Sequence, residues 1–181
     1  MRGGSVYDGA MNRRLFLYAG AGAAVAAIAS YGYTRFATPA PATPLDTLLD
    51  LSLPDLAGQA QSLSQWRGQP MVINFWATWC KPCVKEMPEL QAIHEKAGKV
   101  RFVGIGVDTA DNMRKFVEKV PVSYPLLVMG AGALELLRGL GNPSGGLPFT
   151  LILNADGSIR QKILGQIDPV SLEATVLELA A

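Results

Sequence analysis

Cysteine and histidine are the scarcest reactive residues in this chain of 181: there are two cysteines, Cys80 and Cys83, and one histidine, His94. A single close pair cannot staple a small domain as a disulfide framework does. A zinc site needs four ligands, which one cysteine pair and one histidine do not supply. Charge is sparse and balanced, 16 Lys and Arg against 15 Asp and Glu, for a formal net charge of +1. That balance argues against a nucleic-acid partner. No internal repeat recurs along the chain. What remains is 49% hydrophobic and 17% charged, the composition of one ordinary globular domain with an appendage.

The appendage is N-terminal. Residues 15–33 form an uncharged run of 19, rich in Ala and Gly and preceded by Arg13 and Arg14, so residues 1–35 read as an export signal or an N-terminal membrane anchor rather than as part of the fold. Asn12-Arg13-Arg14-Leu15-Phe16-Leu17 resembles a twin-arginine export signal; an ordinary secretory signal is the other reading. Met11 stands directly before the motif and is a candidate translation start. Ala40-Pro41-Ala42 offers an Ala-x-Ala cleavage pattern, but it lies well beyond the apolar core, and an uncleaved segment is just long enough to span a bilayer of about 30 Å. Either way the globular part is expected outside the cytoplasm, in the periplasm or its equivalent, with possible tethering to the inner membrane. Residues 36–48, with three prolines between 38 and 44, read as a stiff linker, which leaves 49–181 as the folded domain.

Within that domain the cysteines sit in Trp76-Ala77-Thr78-Trp79-Cys80-Lys81-Pro82-Cys83. A crosslink enclosing four residues constrains the unfolded chain by only about 2 kcal/mol, so chemistry explains the pair better than stability does. Residues 71–76 are an apolar run that reads as a buried strand, and 84–97 read as an amphipathic helix. The pair therefore lies at a helix N-terminus, where unpaired N–H groups and the positive end of the dipole favour a thiolate. Cys80 is expected to be the more exposed nucleophile and Cys83 the resolving thiol. Pro82 has no N–H to leave unpaired in the first turn, and Lys81 places a cation beside Cys80. His94, among Gln91, Glu95 and Lys96, reads as a solvated surface residue.

Elsewhere short apolar runs alternate with helical patterns, as an α/β sheet covered by helices requires. Residues 51–53 and 60–63 read as an N-terminal hairpin, 100–107 and 124–129 as strands, 111–120 and 133–140 as helices. Residues 150–153 and 159–164 read as a hairpin across Asn154-Ala155-Asp156-Gly157, and Asp168 as the cap of a last helix to 179. In Gly145-Gly146-Leu147-Pro148-Phe149-Thr150 a proline opens a strand, which makes Leu147-Pro148 a candidate cis bond; a simple loop proline is the alternative.

Taken together, Arg67-Gly68-Gln69-Pro70, the run from Val72 to Cys83, Glu86 with Pro88, and Gly146-Leu147-Pro148 ahead of Asp156-Gly157 resemble the thioredoxin superfamily, in its exported TlpA/ResA/DsbE branch. The resemblance implies a thioredoxin-like fold, with a central mixed β-sheet flanked by helices, an N-terminal β-hairpin and a central αβ insertion. It also implies a cis Pro148 lying against the cysteines, with the backbone of Leu147 pairing with an extended client peptide. Where many thioredoxins carry a buried acid before the motif, this chain has Asn74, which exchanges no proton. The branch places a glutamate three residues after the second cysteine, and Glu86 stands there. A carboxylate there opposes a Cys83 thiolate when charged and can take its proton when burial raises its pKa; the alternative is a solvated helix residue, as Lys85 and Glu89 are read.

The implied activity is that of an exported thiol-disulfide oxidoreductase, most simply a reductant of client disulfides, acting through a Cys80/Cys83 redox-active disulfide with no other cofactor and no metal. Candidate catalytic residues are Cys80, Cys83 and Glu86; candidate client contacts are Trp79, Lys81, Pro82, Leu147 and Pro148. Trp76 and Phe149 read as core. The implied partners are client proteins, either apocytochrome c thiols or copper-site cysteines, and a membrane donor of the DsbD or CcdA type; the protein is expected to be a monomer. Two other functions share the fold. A peroxiredoxin-like peroxidase needs Thr or Ser three residues before its reactive cysteine and a proline earlier, where this chain has Ala77 and Ile73. A Sco-like copper-binding protein needs cysteines four apart and a later histidine, and none follows His94.

Overall fold

A computed structural model describes residues 42–181; the export segment, the twin arginines, Met11 and residues 36–41 of the linker lie outside the described residues. The elements in chain order are α1 (Pro44–Asp50), β1 (Ser52–Pro54), β2 (Ala60–Ser62), a 3₁₀ turn (Leu63–Trp66), β3 (Met71–Trp76) and α2 (Lys81–His94). There follow β4 (Arg101–Gly106), α3 (Ala110–Val117), β5 (Leu126–Val128), α4 (Ala133–Gly139), β6 (Phe149–Leu153), β7 (Ile159–Leu164) and α5 (Pro169–Ala180). Among the described residues no helix is long and apolar enough to cross a membrane.

The five-stranded sheet runs β5-β4-β3-β6-β7, with β3, β4 and β5 parallel and β6 and β7 antiparallel to their neighbours. It is therefore mixed, as the resemblance implies. All six residues of β3 are buried, because a central strand covered on both faces needs apolar side chains at every position. Odd positions Met71, Ile73 and Phe75 pack with Leu48 and Leu49 of α1 and Leu137 of α4. Even positions Val72 and Trp76 pack against Met87 and Leu90 of α2, Met113 of α3 and Val176 of α5. The even position between them is Asn74, a polar residue in an apolar row. β1 and β2 form the N-terminal hairpin, and Asp55 bridges to Leu127, which covers part of the exposed edge at β5.

One boundary differs from the sequence reading. The compact unit begins at Ala42, not at 49, because residues 44–50 are helix, capped by Thr43, and not linker. Thr43 caps α1 by accepting from the Asp46 N–H, Asp46 reaches back to the Thr43 N–H, and Pro44 occupies the first turn, where its missing donor leaves nothing unpaired. The helix then buries Leu48 and Leu49.

Candidate active site

β3 ends at Trp76, the chain turns through Ala77-Thr78-Trp79, and Cys80 becomes the N-cap of α2. Pro82 fits the first turn for the reason Pro44 does in α1. The two sulfurs are bonded at 2.02 Å, with Cα atoms 5.3 Å apart, and the Cys83 N–H donates to Cys80 Sγ at 3.3 Å. Cys83 is wholly buried and Cys80 retains 6% exposure, so the residual access falls on the N-terminal cysteine. A sulfur accepting an N–H at a helix start is placed where a thiolate is favoured.

The Leu147-Pro148 bond is cis. Phe149 is paired with Phe75 in the antiparallel register, which sets Pro148 level with Trp76 at the end of β3, beside the turn into the cysteines. Trp79, 67% exposed, and the half-buried Leu147 line one apolar groove of about 370 Å³ with Val107, Ala131, Leu134 and Gly146. Lys81 and Pro82 are exposed on the first turn of α2 and lie outside that groove wall, and Pro148 is buried and not part of its lining. Trp76 and Phe149 are core residues with no exposure.

Glu86 has no exposed surface. Its Oε1 accepts from Asn74 Nδ2 at 2.9 Å and its Oε2 from the Ile167 N–H at 3.0 Å, while Asn74 Nδ2 also donates to Thr150 Oγ1 at 3.0 Å. Burial pushes its carboxyl up to about 7; the donors from Ile167 and Asn74 oppose that rise and the nearby Glu89 adds to it. This carboxyl, one helical turn beyond Cys83, can hold or release a proton near neutral pH. Glu89 is itself half-buried, with Oε2 unpartnered, rather than solvated. Lys85 is exposed, as read.

His94 is half-buried rather than a solvated surface residue. Its ring centroid lies 5.4 Å from that of Phe102 and 5.5 Å from that of Tyr124, and its Nδ1 is buried without a partner. Burial, and then the charge of Arg101, hold its pKa below the usual imidazole range, with Glu95 opposing. It is a packing residue at the end of the stripe that includes Met87 and Leu90.

Two polar residues that the sequence reading passed over shape the site. Asp108, at the end of β4, accepts from the Thr78 N–H and hydroxyl, the Thr109 N–H and Asn112 Nδ2, which ties the turn carrying Trp79 and Cys80 to the start of α3. Burial raises its pKa, but these donors prevail and hold it below the ordinary carboxylate value. Asn142, 1% exposed, donates from Nδ2 to the Gly146 carbonyl at 2.7 Å and accepts at Oδ1 from the Ser144 hydroxyl. It fixes the loop entering the cis bond. A buried-strand run ending in Asp, and Asn-Pro-Ser-Gly-Gly ahead of the proline, are the signals that could have found them. Among the described residues no group of three or more His, Cys, Asp or Glu side chains is placed to hold a metal ion.

Comparison with known proteins agrees with this geometry. Residues 44–162 match the AhpC/TSA family. The chain is 33% identical over 154 residues to the thiol-disulfide oxidoreductase ResA of Geobacillus kaustophilus (strain HTA426), which covers 82% of this chain and 86% of that protein. It is 37% identical to a thioredoxin-related protein from Neisseria meningitidis serogroup B, with a TM-score of 0.61 over 70% of this chain and 97% of that one. A secreted thiol-disulfide isomerase from Corynebacterium glutamicum is 26% identical, with a TM-score of 0.65 over 74% and 84% of the two chains.

Proposed function

Because this chain belongs to the AhpC/TSA family and is a thiol-disulfide oxidoreductase of thioredoxin-like fold, we propose that it is an exported reductant of client protein disulfides, with Cys80 as nucleophile and Cys83 as resolving thiol. The observation that carries the reading is the Cys80–Cys83 bond at the N-terminus of α2, with its residual access at Cys80 and the cis Leu147-Pro148 loop beside it. In the reduced form the Cys80 thiolate attacks a client disulfide, forming a Cys80–client bond and expelling one client sulfur, which takes up a proton. The Cys83 thiolate then attacks the Cys80 sulfur, closing the pair and expelling the second client sulfur. Two electrons pass to the client, and the Cys83 thiol must lose its proton before it attacks. Glu86, with its carboxyl near 7, is the acceptor one turn away. Trp79 and Leu147 supply apolar contact in the groove, Lys81 and Pro82 flank Cys80 on the exposed turn, and Pro148 holds the Leu147 backbone in place for an extended client segment.

Export is supported by the twin-arginine-like run ahead of residues 15–33 and by likeness to a secreted relative. A domain acting outside the cytoplasm needs an electron source across the membrane, and the resemblance to the ResA branch supports a DsbD- or CcdA-type donor, with apocytochrome c or copper-site thiols as clients. The test is a trap. Mixed with a peptide disulfide, the Cys83→Ser protein accumulates a covalent adduct through Cys80, whereas Cys80→Ser gives none; an adduct through Cys83 in the latter variant would reverse the roles.

A further inference from the structure

Asn74 lies on the face of β3 that packs against α2, with Gly104 opposite it on β4 and Thr150 opposite it on β6. Gly104 contributes no side chain, and the hydrogen bonds of this buried amide go to Thr150 and Glu86. One end of the amide is fully used: Nδ2 donates both of its hydrogens, to Glu86 Oε1 at 2.9 Å and to Thr150 Oγ1 at 3.0 Å. The other end, Oδ1, is buried with no hydrogen-bond partner. A buried carbonyl left unpaired is destabilising, and the arrangement fits only one charge state of its neighbour. Two N–H donors, from Asn74 and Ile167, suit an ionised Glu86. If Glu86 carries its proton on Oε1, the amide in this orientation turns a donor toward it and offers the carboxyl hydrogen no acceptor.

Turning the amide through 180° about its terminal bond removes that conflict. Oδ1 then accepts from the Glu86 carboxyl and from the Thr150 hydroxyl, which in the first orientation is an acceptor. The Ile167 N–H belongs to the backbone and cannot turn, so Oε2 remains an acceptor in both states. The remaining groups facing Glu86 offer no alternative: Glu89 on the same helix is a like charge, and Tyr124, ahead of β5, directs its hydroxyl to Met87 Sδ at 3.3 Å.

We propose that Asn74 is a positioning residue for the proton step, a buried amide that turns end for end as Glu86 gains or loses its proton, with Thr150 as its hydroxyl partner in both orientations. The two polar residues of the β3/β6 pair thereby keep both states of Glu86 hydrogen-bonded, and its proton exchangeable near neutral pH. This rests on the reading of Glu86 as the proton acceptor for Cys83.

The test is run on the oxidised protein, where neither sulfur titrates, by following the carboxylic-acid band in pH-difference infrared spectra and assigning it by its loss in Glu86→Gln. Asn74→Leu, of similar shape but without the amide, is expected to raise the midpoint by about one pH unit, a tenfold tighter proton. In the unsubstituted protein the Asn74 side-chain NH₂ signals are expected to shift with the same midpoint in nitrogen-15 NMR spectra. An unmoved midpoint in Asn74→Leu, or NH₂ signals indifferent to pH, overturns the proposal; the NH₂ measurement uses the unsubstituted protein, so it decides even if Asn74→Leu fails to fold. The underlying reading fails separately, if Glu86→Gln leaves the pH profile of thiol-disulfide exchange unchanged.

Discussion

Glu86 should make the oxidised protein less stable as pH rises, which is the opposite of what a salt-bridged carboxylate does. Its pKa is 4.5 in an unperturbed chain and about 7 in the fold, so between those values the native state binds more protons than the unfolded state. Stability contributed by the neutral acid is complete below pH 4.5, is lost as pH rises toward 7, and is gone above it. The difference between 4.5 and about 7, at about 1.4 kcal/mol per pH unit, amounts to about 3 kcal/mol, a large share of a typical domain's 5–15. Glu86→Gln keeps the shape and an oxygen for the Ile167 N–H, and has no charge to bury. Urea denaturation of the oxidised protein at pH 5, 6, 7 and 8, followed by tryptophan fluorescence, should show the wild type falling relative to Glu86→Gln by about 2.5 kcal/mol across the series, since part of the effect is already lost at pH 5. Taking the difference between the two proteins cancels every other titration. Parallel curves would refute the reasoning, because they would mean that the carboxylate is ionised at no cost in its site.

Two further outcomes follow from packing and from the loop that carries the cysteines. In Gly106→Ala the new Cβ would stand 2.3 Å from Met113 Sδ, and since Met113 is fully buried the clash should lower stability by about 1–3 kcal/mol in urea denaturation; an unchanged midpoint would show that the thioether moves aside freely. Asp108→Ala strands the Thr78 and Thr109 N–H groups and should cost about 2 kcal/mol at pH 7. Because the Asp108 pKa lies below 3.8, its contribution is present above that pH and disappears as the pH falls through the depressed value, so the gap to wild type should close in acid.

Much of the site was legible because its signals are local. A buried strand, a turn with two cysteines and an amphipathic helix follow one another within residues 71–97, and the proline that opens β6 is adjacent to its own strand. What was not legible depends on residues far apart in the chain. Asn74 could be read as unable to exchange a proton, but its partner Thr150 is 76 positions away, and the Ile167 N–H on Glu86 is 81 away. His94 was misread from its charged sequence neighbours, although its spacing of four from Leu90 and seven from Met87 puts it on the buried stripe of α2. α1 was hidden by composition: prolines on either side of Thr43 suggested a linker, yet Thr43-x-x-Asp46 with proline at the first helical position is a helix start. β4 and β5 are shorter than their apolar runs: Val100 and Tyr124 are buried by packing outside the strands, and Val107 continues β4 only through its N–H to the Trp76 carbonyl at 2.8 Å.

The central claim is that Cys80 and Cys83 exchange two electrons reversibly as one unit. An equilibrium redox titration of the protein in glutathione or dithiothreitol buffers, with free thiols trapped and counted by mass, tests it directly. The account predicts one two-electron transition, changing tenfold per about 30 mV, in which both thiols appear together; a midpoint below about −220 mV would mark the reductant proposed and one near −120 mV an oxidant. A pair that never opens, or thiols that appear one at a time, would contradict the claim.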